Sequence, residues 1–141
     1  MLTTQPTGVD VLGLHGCWAT KEVQGKAVYQ QTDTQVFNPH KELYLPREIS
    51  GAIGANVDLM RHGRAPIGVD GNPVNLHHLG QDDRTAVVEI TQQMYTEKAK
   101  VLHIFHGMNR SEFPTDVIPV DRASFREWRH SYWKERALDY L

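Results

Sequence analysis

Two adjacent histidines, His77 and His78, end a short apolar run and precede the polar turn GQDD. An imidazole can bind a divalent metal ion through one ring nitrogen. With an unperturbed pKa of ~6.5 it can also exchange a proton near neutral pH. The pair therefore predicts a hydrolytic site in which His77 binds a metal ion and His78 acts as general base.

Two further histidines, His103 and His106, lie in the segment QQMYTEKAKVLHIFH. The segment lacks Gly and Pro, which favours a helix, and Thr91 is placed to cap it. His103 is the expected second ligand of the ion bound by His77. His106 is either a further ligand, since residues three apart share a helix face, or a cationic helix terminus.

The elements that must position these histidines are two strands and a helix. Asp70-Gly71 indicates a turn, Val74 and Leu76 indicate a strand, and the stretch TAVVEI indicates a second strand. A strand, strand, helix order can bring His77 and His103 to one ion. Side chains alternate along a strand, so His78 points away from His77 unless the backbone bends after Leu76.

The carboxylates near the histidines could act at the site or simply face solvent. Glu89 on the second strand is either an outer hydrogen-bond acceptor that fixes the tautomer of a ligand histidine, or a solvent-facing residue. Asp82 and Asp83 in the turn are expected to be solvated rather than metal ligands.

The C-terminal segment DRASFREWRHSYWKERALDYL predicts a basic and aromatic helix capped by Asp121. Phe125, Trp128 and Tyr132 form the expected core-facing stripe. A neighbouring stripe contains Arg122, Arg126, Arg129, Trp133, Arg136 and Tyr140. The basic stripe, with Arg126, Arg129, Arg136 and Trp133 as its candidate contacts, is either a rail for nucleic-acid phosphates or a solvated face balanced by nearby carboxylates.

Length and composition indicate one soluble domain, and the strand, strand, helix order predicts an α+β fold. The chain has 141 residues, 40% of them hydrophobic, which is enough for a core. The single cysteine, Cys17, excludes an internal disulfide, and no apolar run is long enough to insert into a membrane. A net charge of −2 means that nucleic-acid binding would need a local basic patch.

The residues before the histidines are less informative. The Gly-rich residues 1–25 are expected to be a leader or linker, with the domain at 26–141. Patches AVYQ and TQVF suggest strands, and apolar residues at helical spacing suggest a helix over 47–62, weakened by Gly51 and Gly54.

Several blocks together resemble a known family. NLHHLGQ, with LMRHGRAPIGVDGNPV before it, VVEIT and KVLHI after it, and FREWRHSYWKERA at the end, is similar to the LHH nuclease domain of bacterial polymorphic toxins, in the HNH and endonuclease VII superfamily. The resemblance covers about residues 26–141. It implies a ββα-metal active-site motif and metal-dependent hydrolysis of DNA phosphodiesters.

The resemblance also implies roles for particular residues. His77 and His103 fall on metal ligands, and His78 falls on the general base. The chain departs from the family at Met94 and Tyr95, where members usually carry another histidine.

The biological setting is likewise implied by the family. It is a toxin made in a bacterial cytoplasm, exported by a specialised secretion system, active in the target-cell cytoplasm and neutralised by a cognate immunity protein. The ion is Mg²⁺, Mn²⁺, Zn²⁺ or Ni²⁺, between which the sequence does not choose. Two alternatives remain open: an RNase that uses the same site, and a non-catalytic binding protein stabilised by a metal ion.

Overall fold

The computed structural model describes residues 18–79, 83–97 and 118–141, which form the predicted α+β fold. The strands are β1 (Trp18–Val23), β2 (Lys26–Gln31), β3 (Glu42–Tyr44), β4 (Ile53–Ala55), β5 (Asn75–His78) and β6 (Val87–Ile90). The helices are α1 (Asn56–Arg61), α2 (Gln92–Glu97) and α3 (Arg122–Ala137), with a 3₁₀ turn at Leu138–Tyr140. One sheet has the order β1-β2-β6-β5, and β3 pairs with β4 separately.

The first hairpin lies partly in the predicted leader. Gln24 and Gly25 have φ values of 47° and 85°, the left-handed conformation that a tight two-residue turn between antiparallel strands requires. Trp18 is buried and donates its indole N–H to the carbonyl oxygen of Glu89 at 2.8 Å. Residues 18–25 therefore belong to the folded domain, whereas the rest of the predicted leader, residues 1–17, lies outside the described residues.

Strand β6 is the centre of the sheet, and all four of its residues are buried. Val87 pairs with Val28 of β2 in the parallel direction and with His78 of β5 in the antiparallel direction. Helix α2 follows β6 after one residue. The chain thus has the predicted strand, strand, helix order, and the residues of three strands meet around Val87.

Helix α3 covers one face of this sheet. Asp121 caps it by accepting hydrogen bonds from the backbone N–H groups of Ala123 and Ser124. Phe125 and Tyr132 are buried, and half-buried Trp128 donates its indole N–H to the carbonyl oxygen of Val23 at 3.1 Å. The predicted core-facing stripe is confirmed. No helix within the three described ranges is long and apolar enough to cross a membrane.

Two predictions for the region before β5 were wrong. Residues 34–37 form no strand, because the side-chain amide of Gln31 binds the backbone N–H groups of Val36 and Phe37 and the carbonyl oxygen of Phe37. The helix predicted over 47–62 is confined to Asn56–Arg61, because Ile53 pairs with Tyr44 in the small sheet.

Candidate active site

The two histidines of the LHH sequence lie on opposite faces of β5. His77 is opposite Val88 and His78 is opposite Val87 in the pairing with β6. The strand stays regular through both residues, so its ordinary alternation separates the two rings. His77 is partly exposed, whereas His78 is 3% exposed.

His77 faces Tyr95 of α2. The two ring centroids are 4.9 Å apart, with the planes inclined by 61°. Thr91 caps the helix start, where its hydroxyl oxygen accepts a hydrogen bond from the backbone N–H of Met94 at 3.0 Å. Asp70 holds the same turn by accepting from the backbone N–H of Gln93 at 3.0 Å. The tyrosine that departs from the family pattern is therefore positioned against the candidate metal ligand.

His78 faces α3 and the first residue of β2. Its ring centroid is 4.4 Å from that of Phe125, and its Nε2 atom is 3.2 Å from Nζ of Lys26. A lysine ammonium only donates hydrogen bonds, so Nε2 accepts and the neutral ring carries its proton on Nδ1. Lys26 also donates to the carbonyl oxygen of Asp83 at 2.9 Å, and its Nζ lies 3.7 Å from the Asp83 carboxylate.

Lys26 is the residue that the sequence did not single out. Lys26 and Val28 are two residues apart on β2, so they lie on the same face of the sheet. Val28 and His78 both pair with Val87, which brings Lys26 to the same end of the sheet as His78. No spacing along the chain signals this contact, because it depends on the parallel pairing of two strands far apart in sequence.

Glu89 does not face solvent, and among the described residues it hydrogen-bonds to no histidine. It is fully buried, and its carboxylate accepts hydrogen bonds from the Tyr132 hydroxyl at 2.6 Å and from the backbone N–H of Gln31 at 3.0 Å. Nε and Nη2 of Arg136 donate to it at 2.9 and 3.2 Å. Glu89 therefore joins α3 to the centre of the sheet.

Two residues of the predicted phosphate rail, Arg136 and Trp133, are buried, so this part of the prediction was wrong. Arg136 is 6% exposed, and the negative charge of Glu89 raises its pKa despite burial, which by itself would lower it. Trp133 is 2% exposed and packs against Phe37. Neither side chain can contact a nucleic acid from inside the core, whereas Arg126 and Arg129 are exposed, as a rail requires.

The remaining candidate ligands, His103 and His106, lie outside the described residues. Within the described ranges, no three His, Cys, Asp or Glu side chains form a group that could hold a metal ion. The imidazole of His77 has suitable ligand chemistry. A complete metal site would need donors from outside the described residues, where His103 and His106 lie.

Comparison with known families identifies the chain. The model of the LHH family, described as a nuclease of the HNH/ENDO VII superfamily with conserved LHH, matches residues 55–139. The match covers more than half of the chain and includes Leu76, His77 and His78. No solved structure matches the chain. The chain belongs to the LHH family and is a nuclease of the HNH/ENDO VII superfamily.

Proposed function

We propose that this nuclease is a metal-dependent DNA endonuclease in which His77 binds the ion and His78 is the general base. The observation that carries the proposal is the position of both imidazoles at the end of β5, on opposite faces of the strand. Each ring therefore has its own surroundings and can do different work.

His77 is the proposed first metal ligand, with His103 and His106 as the further ligands. Nucleases of this superfamily are generally metal-dependent. A divalent ion, whether Mg²⁺, Mn²⁺, Zn²⁺ or Ni²⁺, supplies Lewis-acid stabilisation of the charge that develops on the phosphate. The contribution of Tyr95 is to hold the imidazole of His77 in one orientation through ring packing.

His78 is the proposed base because its Nε2 atom is already a hydrogen-bond acceptor. Lys26 donates to that nitrogen in the resting arrangement, so the attacking water must replace Nζ of Lys26 there. The ammonium group has other acceptors within reach, the carbonyl and carboxylate oxygens of Asp83. Once the water is bound to Nε2, proton transfer to His78 accompanies attack on phosphorus, and the bond to the departing 3′ oxygen breaks.

A nucleic-acid substrate is supported by the exposed arginines of α3. Arg126 and Arg129 extend from the helix that packs on His78 through Phe125. Guanidinium groups bind phosphate oxygens in bidentate geometry and do not read sequence through them. DNA cleavage with little sequence preference and strong salt dependence is therefore expected.

The test is cleavage of supercoiled plasmid and of total RNA by purified protein at low salt. Each reaction is run with EDTA and then with Mg²⁺, Mn²⁺, Ni²⁺ or Zn²⁺ alone. His78→Ala should cleave ~10²–10⁴-fold more slowly than wild type, the usual contribution of a general base. His40→Ala, which replaces an exposed histidine outside the site, is the matched control and should cleave like wild type. Circular dichroism checks that the variants fold.

Each outcome has a distinct meaning. Plasmid nicking that needs both a metal ion and His78 supports the proposal and names the ion. Degraded RNA beside intact plasmid would replace DNA with RNA as the substrate. Cleavage by His78→Ala at the wild-type rate would remove His78 as the base. An intact plasmid under every metal, from folded protein that binds one ion tightly, would favour a metal-stabilised binding protein.

We further propose that the nuclease acts as an antibacterial toxin, exported from the producing bacterium, active in the target-cell cytoplasm and inhibited by a cognate immunity protein. This rests on the resemblance of the sequence blocks to polymorphic-toxin domains. Induced expression in a bacterial host without the immunity gene should stop growth, and His78→Ala should restore it. Growth arrest by both forms to the same extent would mean that nuclease activity is not the cause.

A further inference from the structure

We infer that the exposed row Arg122, Arg126 and Arg129 of α3 binds consecutive backbone phosphates of a nucleic acid, one of them in the cleft between α3 and the loop after α1. The inference rests on the proposed nucleic-acid substrate and adds a binding subsite away from the LHH histidines. The cleft has a volume of about 230 Å³. Gly63 and Ala65 line it from the loop, and Arg126, Arg129 and His130 line it from the helix.

Within the described residues, no ion pair neutralises the charges along this part of α3. Arg122, Arg126 and Arg129 are exposed, and none forms an ion pair with any residue in the described ranges. Burial lowers the pKa of Arg129, and the positive charges of Arg126 and Arg122 lower it further, so the three groups repel one another. An anion between them would relieve that repulsion. By contrast, Arg136 on the same stripe is neutralised by Glu89 in the core.

The spacing of the arginines fits a polymer better than a single phosphate. Arg122 and Arg129 are seven residues apart, which corresponds to a rise of ~10 Å along the helix. One DNA strand advances ~3.4 Å per phosphate along its axis, so the row extends along roughly three of them. The cleft itself is smaller than the ~300–1,000 Å³ of pockets for drug-sized ligands, so one small group at a time fits inside it.

Gly63 shapes the loop side of the cleft. Its φ is 76°, and a Cβ atom there would lie 2.2 Å from Nδ1 of His130. Only a glycine at this position allows the imidazole of His130 to pack directly against the loop backbone. The exposed ring then forms one wall of the cleft, with a nitrogen able to donate to a phosphate oxygen.

The cleft is connected to the candidate active site by Phe125. The guanidinium carbon of Arg129 lies 5.4 Å from the centroid of the Phe125 ring, and that ring packs on His78 at 4.4 Å. A strand held by Arg129 therefore passes close to His78. The subsite thus serves to align the phosphodiester with the base, and its residues do not take part in the chemistry.

The experiment measures binding separately from cleavage. Fluorescence anisotropy in EDTA follows labelled 20-mer DNA, single-stranded and duplex, on the His78→Ala protein at 50–200 mM salt. Adding Arg126→Ala or Arg129→Ala should reduce the slope of log affinity against log salt by ~1 for each arginine and by ~2 for both. Arg47→Ala, which removes an exposed arginine that does not line the cleft, is the matched control and should leave the slope unchanged.

Two further measurements locate the binding site and identify its ligand. Gly63→Ala should weaken binding as much as His130→Ala, because both remove the ring from the wall. Labelled mononucleotides and oligonucleotides of increasing length should bind progressively tighter until the row of arginines is filled. Binding that is already maximal with a mononucleotide would overturn the inference.

Failure of this inference is distinguishable from failure of the proposed chemistry. Identical slopes for the Arg126, Arg129 and Arg47 variants would overturn the subsite and leave the role of His78 untouched. Conversely, full cleavage by His78→Ala with reduced slopes for the two cleft arginines would overturn the base assignment and support the subsite.

Discussion

Replacement of Glu89 by Gln should lower the free energy of unfolding by about 3–5 kcal/mol, the usual result of removing one partner of a buried ion pair. Arg136 is 6% exposed, so its charge would remain in the core with only the partly exposed carboxylate of Asp139, 2.9 Å from Nη1, as counter-ion. Folded domains are stable by only ~5–15 kcal/mol, so a substantial part of the stability would be lost.

The hydrogen-bond geometry explains this magnitude. Within the described residues, the Glu89 carboxylate accepts four hydrogen bonds, two at each oxygen. A glutamine amide puts an N–H₂ group at one of the two oxygen positions, where it faces two donors instead of accepting from them. Hydrogen bonds to charged groups contribute ~1.5–3 kcal/mol each, so the loss of these bonds and of the pairing charge accounts for the expected range.

Urea denaturation of Glu89→Gln measures the effect. Glu22→Gln, at an exposed position of β1, is the matched control and should change stability by less than ~0.5 kcal/mol. Adding Arg136→Met to Glu89→Gln should recover part of the loss, because it removes a buried charge that has lost its buried partner. Unfolding of Glu89→Gln at the same urea concentration as the control would show that the ion pair does not stabilise the fold. Weaker metal binding at unchanged stability would show instead that Glu89 acts on a ligand histidine.

Two other changes test the same core. Burial raises the pKa of Tyr132 well above 10, and the charge of Glu89 raises it further. This group therefore stabilises the fold fully below about pH 10, and the stabilisation is lost as the pH rises through the folded-state pKa. Tyr132→Phe should flatten the fall of unfolding free energy above pH 10 in urea titrations, and an unchanged slope would contradict the assignment. Asn56→Ala should lower the free energy of unfolding by at least ~2 kcal/mol, measured by thermal or urea denaturation. The buried side-chain amide hydrogen-bonds to the carbonyl oxygen of Asn38 and to both backbone groups of Ile67. A loss below ~1 kcal/mol would show that water replaces the amide in these hydrogen bonds.

The sequence by itself determined β6, α3 and the family. Strand β6 follows from its β-branched residues, and α3 follows from its aromatic spacing and from Asp121 at its start. These signals are local, since strand and helix periodicities are set by backbone geometry within a few residues. The LHH blocks were likewise sufficient to recognise the nuclease family that the family comparison confirmed. The alternation of His77 and His78 also followed from the strand.

Tertiary structure decided which charged side chains are buried and which are exposed. Arg126 and Arg136 belong to one helical stripe, yet the first is exposed and the second is buried on Glu89. Helical spacing alone does not distinguish them, because burial depends on which parts of the protein pack against each turn of the helix. The contact of Lys26 with His78 depends on the pairing of β2 and β5 with the two sides of β6, over a separation of 52 residues. Such contacts depend on the register of distant strands, which is specified by the packing of the whole core.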